Sequence, residues 1–209
     1  MHSGPIASGS KHLAAVPRER TLVSKSFLGL LFTQFLGATN DNILRWLVIG
    51  IGKDYADVNV SNLLALGTAV FVLPYILLAA PAGYLADRYS KRRVIVLCKI
   101  GEGVIMALAV GAILVGHIWL MLLVLGLAGA QAALFGPAKL GSIPEMVDES
   151  RISAANGLIG LTTVFSTMVG TYAGSWLADF TGDKGQAHWQ WSAIVLLGVA
   201  VAGWATSLL

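Results

Sequence analysis

Six long apolar segments follow one another along this chain of 209 residues, and they constrain its fold more than any other feature. Each holds about 20 residues or more, enough for a helix to cross a hydrocarbon core ~30 Å thick. The segments cover about 26–52, 63–86, 94–116, 118–138, 153–178 and 190–209. The alternation of polar and apolar residues typical of membrane strands is absent. The sequence therefore predicts an all-α membrane protein with six transmembrane helices.

The low charge content agrees with this prediction. Charged residues make up 12% of the chain, against about 25% in an ordinary soluble domain. The single cysteine, Cys98, excludes a disulfide framework, and the four histidines are scattered without metal-ligand spacing. We therefore expect no metal site and no cofactor. The net charge of +3 follows from the placement of basic residues around the spans, so we expect no nucleic-acid partner.

The basic residues also predict the orientation. Of the 14 lysines and arginines, ten lie on one side of the spans and two on the other, while Arg45 and Lys99 lie inside spans. Cytoplasmic loops carry the excess of such residues. We expect residues 1–25 to be a cytoplasmic polar segment and residues 26–209 to be the transmembrane domain.

An internal repeat is indicated by two similar span ends. The second span ends Ala-Gly-Tyr-Leu-Ala-Asp87, and the fifth ends Ala-Gly-Ser-Trp-Leu-Ala-Asp179. Three spans separate the two copies, an odd number, so the copies run in opposite directions. The pattern predicts two groups of three helices arranged as 3+3 inverted repeats, as in secondary transporters.

The first span carries the most polar cluster at membrane depth. Asn40, Asp41 and Asn42 are followed by Arg45, and Gln34 precedes them by about two turns. Each charged group costs roughly 2.5–3.5 kcal/mol at the bilayer centre, so such groups usually serve a function. At ~100° per residue, the side chains at positions 34, 41 and 45 share one helix face. We interpret this face as a substrate path; the alternative is a structural Asp41–Arg45 pair.

The third span adds a second pair of charges. Lys99 and Glu102 are three residues apart and therefore neighbours on one helix face. A local salt bridge that faces the other helices and a role in handling substrate or protons are equally compatible with this spacing.

The loop after the second span carries a signature with a known counterpart. It contains Gly83, Asp87 and Arg88, followed by Lys91 and Arg92. This spacing resembles the loop signature of the major facilitator superfamily, although position 90 is serine where the family usually has a second glycine. The resemblance implies a conformational gating motif, with Gly83 allowing close helix contact and Asp87 and Arg88 acting as a cytoplasmic latch.

Two further segments resemble the bacterial lysophospholipid transporters within that superfamily. They are Phe35–Leu44, which contains Asn-Asp-Asn, and Leu134–Glu145, which contains Pro-Ala-Lys. The resemblance implies transport of lysophospholipid from the outer to the cytoplasmic leaflet of the bacterial inner membrane. It assigns important roles to Asp41 and Lys139. An ammonium group at the cytoplasmic interface, where we expect Lys139, can meet a lipid phosphate.

We therefore expect the N-terminal six-helix half of a transporter, without enzymatic activity, whose second six-helix half is not in this chain. Its expected partners are membrane lipids, with lysophospholipid as the substrate. One alternative is the membrane portion of a transporter fused to acyltransferase and acyl-carrier synthetase domains. Another is a facilitator for a different solute or drug, and a scaffold without transport is the least favoured. The hydroxyls in the fifth span either line a polar path or bond within their own helix, and we favour the second interpretation.

Overall fold

The computed structural model describes residues 21–54, 59–182 and 187–209. In these ranges the chain forms seven α-helices and one short 3₁₀ helix, so the prediction of an all-α protein is confirmed there. The helices are α1 (Lys25–Gly52), α2 (Val60–Leu77), α3 (Ala79–Arg88), α4 (Lys91–Val115), α5 (Ile118–Met146), α6 (Ile152–Thr181) and α7 (Trp189–Thr206). The 3₁₀ helix, Glu149–Arg151, leads directly into α6. Residues 1–20 of the expected N-terminal segment lie outside the described residues.

Five of the described helices are long and apolar enough to cross a membrane: α2, α4, α5, α6 and α7. Helix α3 has only 10 residues. Helix α1 has 28 residues and is the longest apart from α5 and α6. Its central polar residues, Asn40 to Asn42 and Arg45, lower its mean hydropathy. Length and composition alone thus identify five candidate spans in the described part of the chain, where the sequence predicts six.

The second predicted span, 63–86, is not one continuous helix. The backbone leaves helical geometry at Leu78, where φ is −100° and ψ is 4°, and this residue separates α2 from α3. Pro81 has no N–H to donate to the carbonyl of Leu77, and its ring would clash with that carbonyl in a continuous helix. The break therefore lies at a position where a proline removes one helical hydrogen bond.

The fourth predicted span is longer than expected. We predicted an end at about residue 138. Helix α5 instead continues past Pro137 and Pro144 to Met146. Residues 139–146 are therefore helical, and Lys139 points from a helix rather than from a loop.

Close backbone contacts at glycines fix how the helices pack. A Cβ built at Gly170 of α6 would lie 2.5 Å from the carbonyl oxygen of Thr39, and one at Gly174 would lie 2.7 Å from that of Ile43. On the other side of the bundle, Gly129 of α5 lies directly against the backbone of Phe71 in α2. Small residues of this kind let membrane helices approach each other closely.

Two apolar clusters form the core, and polar residues lie between them on the same helices. On α1, one cluster holds Phe27 and Leu30 and the other holds residues 43–51. Between them lie buried Thr33, Gln34 and Asp41. Helix α4 follows the same order, because Lys99 and Glu102 separate its two apolar parts. The fold therefore positions a polar layer inside an apolar bundle.

Candidate functional site

A cavity of about 370 Å³ lies among α1, α2, α4, α5 and α6. The structure brings together at this cavity seven of the eight residues that the sequence assigned to a substrate path. They are Gln34, Asp41, Asn42, Arg45, Lys99, Glu102 and Lys139. The eighth, Asn40, lies directly behind the cavity wall. Residues from three helices that are far apart in sequence thus share one polar site.

The polar face of α1 is formed as the sequence predicts, since Gln34, Asp41 and Arg45 all line this cavity. The expected alternative, an Asp41–Arg45 salt bridge, is not among the ion pairs of the described residues. The Arg45 guanidinium carbon instead lies 5.8 Å from the centre of the Trp46 ring. The two charges on this helix therefore remain available to other partners.

Asp41 is buried, with 9% of its surface exposed, and it lacks a full set of partners. Its Oδ1 atom has no hydrogen-bond partner among the described residues. Buried polar atoms are nearly always satisfied by protein, water or ligand. Asp41 lines the cavity although Oδ1 itself is inaccessible to water, so a bound donor would complete this carboxylate only if the side chain turned toward it.

Lys99 and Glu102 form a salt bridge in which both side chains are almost fully buried. Asn40 supports the pair, because its Nδ2 donates to Glu102 Oε1 at 3.4 Å and to the carbonyl oxygen of Leu196 at 3.3 Å. A Cβ at Gly37 would collide with the Lys99 ammonium, so this glycine makes room for it. The local salt bridge is formed, and the pair also borders the cavity.

Lys139 reaches into the cavity. Its Nζ donates to Gln34 Oε1 at 2.9 Å. The Nε2 of Gln34 in turn donates to Thr163 Oγ1 at 2.9 Å. Helix α5 continues unbroken through Pro137, and this course directs Lys139 toward α1. Hydrogen bonds therefore link α5, α1 and α6 across the site.

The ring of Phe135 lies close to both cavity lysines. Its centre is 5.1 Å from Lys99 Nζ and 5.5 Å from Lys139 Nζ. An aromatic face attracts cations at such distances. One ring therefore helps to hold two ammonium groups near each other despite their like charge.

Three hydroxyls of α6 bond within their own helix, as the favoured interpretation predicts, but Thr163 and Thr167 also line the cavity, as the alternative predicts. Thr163 donates to Ile159 O, Ser166 to Thr162 O and Thr167 to Thr163 O. Thr163 alone also accepts a bond from α1. Its role as a link between helices was not predicted.

Sequence reasoning also missed Gln131 of α5. This residue is buried and lines the cavity, and its Nε2 donates to the carbonyl oxygen of Cys98 at 2.9 Å. The signal was present in the sequence, because a glutamine inside an apolar span is as unusual as Gln34.

The loop signature lies at the junction of α3 and α4, away from the cavity. Asp87 and Arg88 are exposed, and the guanidinium carbon of Arg88 lies over the Tyr84 ring, 5.9 Å from its centre. The expected close helix contact at Gly83 is not formed, because a Cβ there would meet nothing within 4 Å. Lys91 pairs with Glu145 of α5 at 2.7 Å, and Arg92 donates to the carbonyl oxygen of Leu208 at 2.8 Å.

No group of three or more histidine, cysteine, aspartate or glutamate side chains in the described ranges is arranged to hold a metal ion. The cavity is lined by the carboxyl groups of Asp41 and Glu102, the amino groups of Lys99 and Lys139 and the guanidinium of Arg45.

This bundle of apolar helices around a charged cavity is the kind of structure that membrane transporters use. The Major Facilitator Superfamily matches residues 30–209, and the chain belongs to that family. It is therefore a multi-pass membrane chain of a transporter family rather than of an enzyme family. The family assignment based on the loop signature is confirmed.

Among curated proteins, the chain is similar to several proteins named lysophospholipid transporter LplT. It is 31% identical to the protein of Serratia proteamaculans over 167 residues, which is 79% of this chain and 39% of the relative. It is 32% identical to that of Cronobacter sakazakii over 162 residues, 77% of this chain and 38% of the relative. It is 28% identical to that of Yersinia pestis over 193 residues, 91% of this chain and 42% of the relative.

The chain thus spans about two fifths of the length of these relatives. No solved structure matches it.

Proposed function

We propose that this chain is part of a transporter that moves lysophospholipid toward the cytoplasmic leaflet of the bacterial inner membrane. The observation that carries the proposal is the presence of Asp41 and Lys139, two opposite charges, on the walls of one cavity inside an apolar bundle. The relatives named lysophospholipid transporters support the same substrate class.

The charges suit a zwitterionic headgroup such as that of lysophosphatidylethanolamine. The carboxylate of Asp41 lines the cavity and would turn to accept a hydrogen bond from the substrate ammonium group, which its buried Oδ1 lacks among the described residues. Lys139 would meet the phosphate, since an ammonium binds phosphate as a point charge. To do so it would exchange its bond to Gln34 for one to the substrate, and the amide would keep its bond to Thr163. Lys99 is neutralised by Glu102 and would act in positioning only.

The fold of the domain is proposed to consist of six membrane-spanning units arranged as 3+3 inverted repeats. In this assignment α1 is the first unit, α2 and α3 together form the second, and α4 to α7 are the remaining four. The packing supports this arrangement. In the first triplet, α1 to α4, helix α1 lies against α6; in the second triplet, α5 to α7, helix α5 lies against α2 and α3. Exchanging the triplets therefore reproduces these contacts, as a pseudo-twofold axis requires. The N-terminus would be cytoplasmic.

We further propose that a second helical unit completes the site. The length of the relatives supports this, because they are more than twice as long as the part matched here. Transport would then proceed by rocking of the two units around the cavity. Gly83, which has open space beside it, and exposed Asp87 and Arg88 would contact the second unit as the cytoplasmic latch.

The experiment is uptake of labelled lysophosphatidylethanolamine by vesicles that contain the full-length protein. We expect Asp41→Asn, which keeps the shape of the side chain and removes its charge, to lower uptake at least tenfold, since a charged hydrogen bond is worth roughly 1.5–3 kcal/mol. Lys139→Met should have a similar effect.

The matched control is Asp179→Asn, which removes a carboxylate of similar chemistry outside the cavity. Asp179 pairs with Lys53 and is mostly exposed, so its loss should leave uptake within about twofold of the wild type. Unchanged uptake by Asp41→Asn would contradict the role of that residue. If the wild type moves other solutes but no lysophospholipid, the substrate assignment fails and a facilitator for another solute becomes the better interpretation.

A further inference from the structure

A second cavity, distinct from the polar one, opens as a groove on the outside of the bundle. Its volume is about 720 Å³, within the roughly 300–1,000 Å³ typical of ligand sites. It lies between α4 and α5 and is bordered by the end of α3, and we call it the α4–α5 groove. Its walls are almost entirely apolar and include exposed Leu97 and Leu127.

The exposed polar groups of the α4–α5 groove are concentrated at one end. Arg93 and Tyr89, both exposed, lie where α3 joins α4. Along α4 the groove continues to Ile105, twelve residues further, which is ~18 Å at 1.5 Å per residue. Half of a hydrocarbon core ~30 Å thick is ~15 Å. The groove therefore has the length of one acyl chain in a single leaflet, with a cation at the headgroup level.

We propose that the α4–α5 groove binds one diacyl phospholipid with an anionic headgroup from the cytoplasmic leaflet. One of its two acyl chains would lie between Leu97 and Leu127. The guanidinium of Arg93 would donate two hydrogen bonds to the phosphate. This proposal uses the orientation given under Proposed function, which places Arg93 on the cytoplasmic side. That leaflet carries anionic lipids and attracts basic residues beside the membrane.

The groove is separate from the transport cavity, although one residue borders both. Gln131 lines the two cavities and holds the carbonyl of Cys98, so its side chain forms part of the wall between them. A bound lipid would therefore pack against the outer side of this wall, next to the α4 segment that carries Lys99. It would be a structural ligand and not the transported substrate.

The test uses the full-length protein in phosphatidylcholine vesicles that contain phosphatidylglycerol with a photoreactive group on its acyl chain. After illumination, mass spectrometry should locate the adducts in residues 93–105 and 127–134. Unlabelled phosphatidylglycerol should compete roughly fivefold better than phosphatidylcholine, the preference expected from one basic residue at an anionic surface.

Two pairs of variants separate a specific site from ordinary lipid contact. Gly101 lines the groove and Gly103 does not, and a Cβ at either position meets nothing within 4 Å. Gly101→Phe should abolish the adducts and Gly103→Phe should preserve them. Arg93→Gln should remove the preference for phosphatidylglycerol, while Arg93→Lys and Arg92→Gln should retain it.

Equal labelling in Gly101→Phe and Gly103→Phe, or equal competition by the two lipids, would overturn the proposal in favour of non-specific boundary lipid. Absence of adducts in both segments would also overturn it, because another part of the protein would then cover the groove. Since the readout is binding of a diacyl lipid, a failure of lysophospholipid uptake leaves this result interpretable.

Discussion

The contact between α1 and α6 offers the sharpest test of the packing, because two glycines of one helix differ in what surrounds them. Gly170 faces α1, where an added Cβ would lie 2.5 Å from the Thr39 carbonyl oxygen and 2.7 Å from Asn42 Cβ. Gly160, three turns earlier on α6, has nothing within 4 Å of such an atom. Replacing each by alanine therefore applies the same chemical change to a closed and an open position.

The magnitude follows from these distances. Ordinary van der Waals contact begins at 3.4 Å, so α1 and α6 must separate by about 1 Å to admit a methyl group at Gly170. Overpacking of this kind costs roughly 1–3 kcal/mol. Both variants gain the same helix propensity, roughly 0.5–1 kcal/mol per glycine replaced. The difference in the free energy of unfolding between the variants therefore isolates the packing cost.

The assay is unfolding of the full-length protein in mixed micelles by increasing mole fraction of a denaturing detergent, followed by tryptophan fluorescence. We expect Gly160→Ala to equal or exceed the wild type and Gly170→Ala to be less stable than Gly160→Ala by roughly 1–3 kcal/mol. Because Asn42 lines the cavity, Gly170→Ala should also reduce transport. Equal stability of the two variants would refute the close contact between α1 and α6.

Two further predictions concern one buried and one exposed ion pair. Lys99→Met and Glu102→Met should each destabilise the protein by roughly 3–5 kcal/mol in the same unfolding assay, because each leaves an unpaired buried charge. The double variant Lys99→Met/Glu102→Met should recover most of the loss, and additive losses would contradict the pairing. Lys53→Gln should change the free energy of unfolding by at most ~1 kcal/mol, since its partner Asp179 is solvated; a larger loss would show that this pair is shielded from water.

How far the sequence predicts the site depends on whether a feature is local. The shared face of Gln34, Asp41 and Arg45 follows from helical periodicity alone, and the structure reproduces it. The break near Leu78 could also have been predicted, because Pro81 lies four residues after Leu77. The segment is apolar throughout, and we therefore predicted one continuous span. The local pairing of Lys99 with Glu102 is formed, whereas that of Asp41 with Arg45 is not, although both spacings allow it.

Hydrogen bonds between different helices could not be predicted from the sequence. Lys139 finds Gln34 across 105 residues, and Asn40 finds Glu102 across 62. Such pairs depend on the rotation and vertical register of each helix, which are set by backbone contacts such as that of Gly170 with Thr39. The sequence contains these glycines, but single-helix patterns do not reveal which of them meets a neighbour and which, like Gly83, faces open space.

By itself, the sequence determined that this protein lies in a membrane, that its helices are long and apolar, and that charges interrupt two of them. These properties follow from the cost of moving residues from water to lipid, which each segment meets independently. Only the tertiary structure decided which charges are neutralised and which remain open. Lys99 is satisfied by its neighbour, whereas Asp41 lines a cavity and keeps a buried carboxylate oxygen without a partner among the described residues. That outcome depends on packing between distant helices, and it distinguishes a structural ion pair from a candidate binding site.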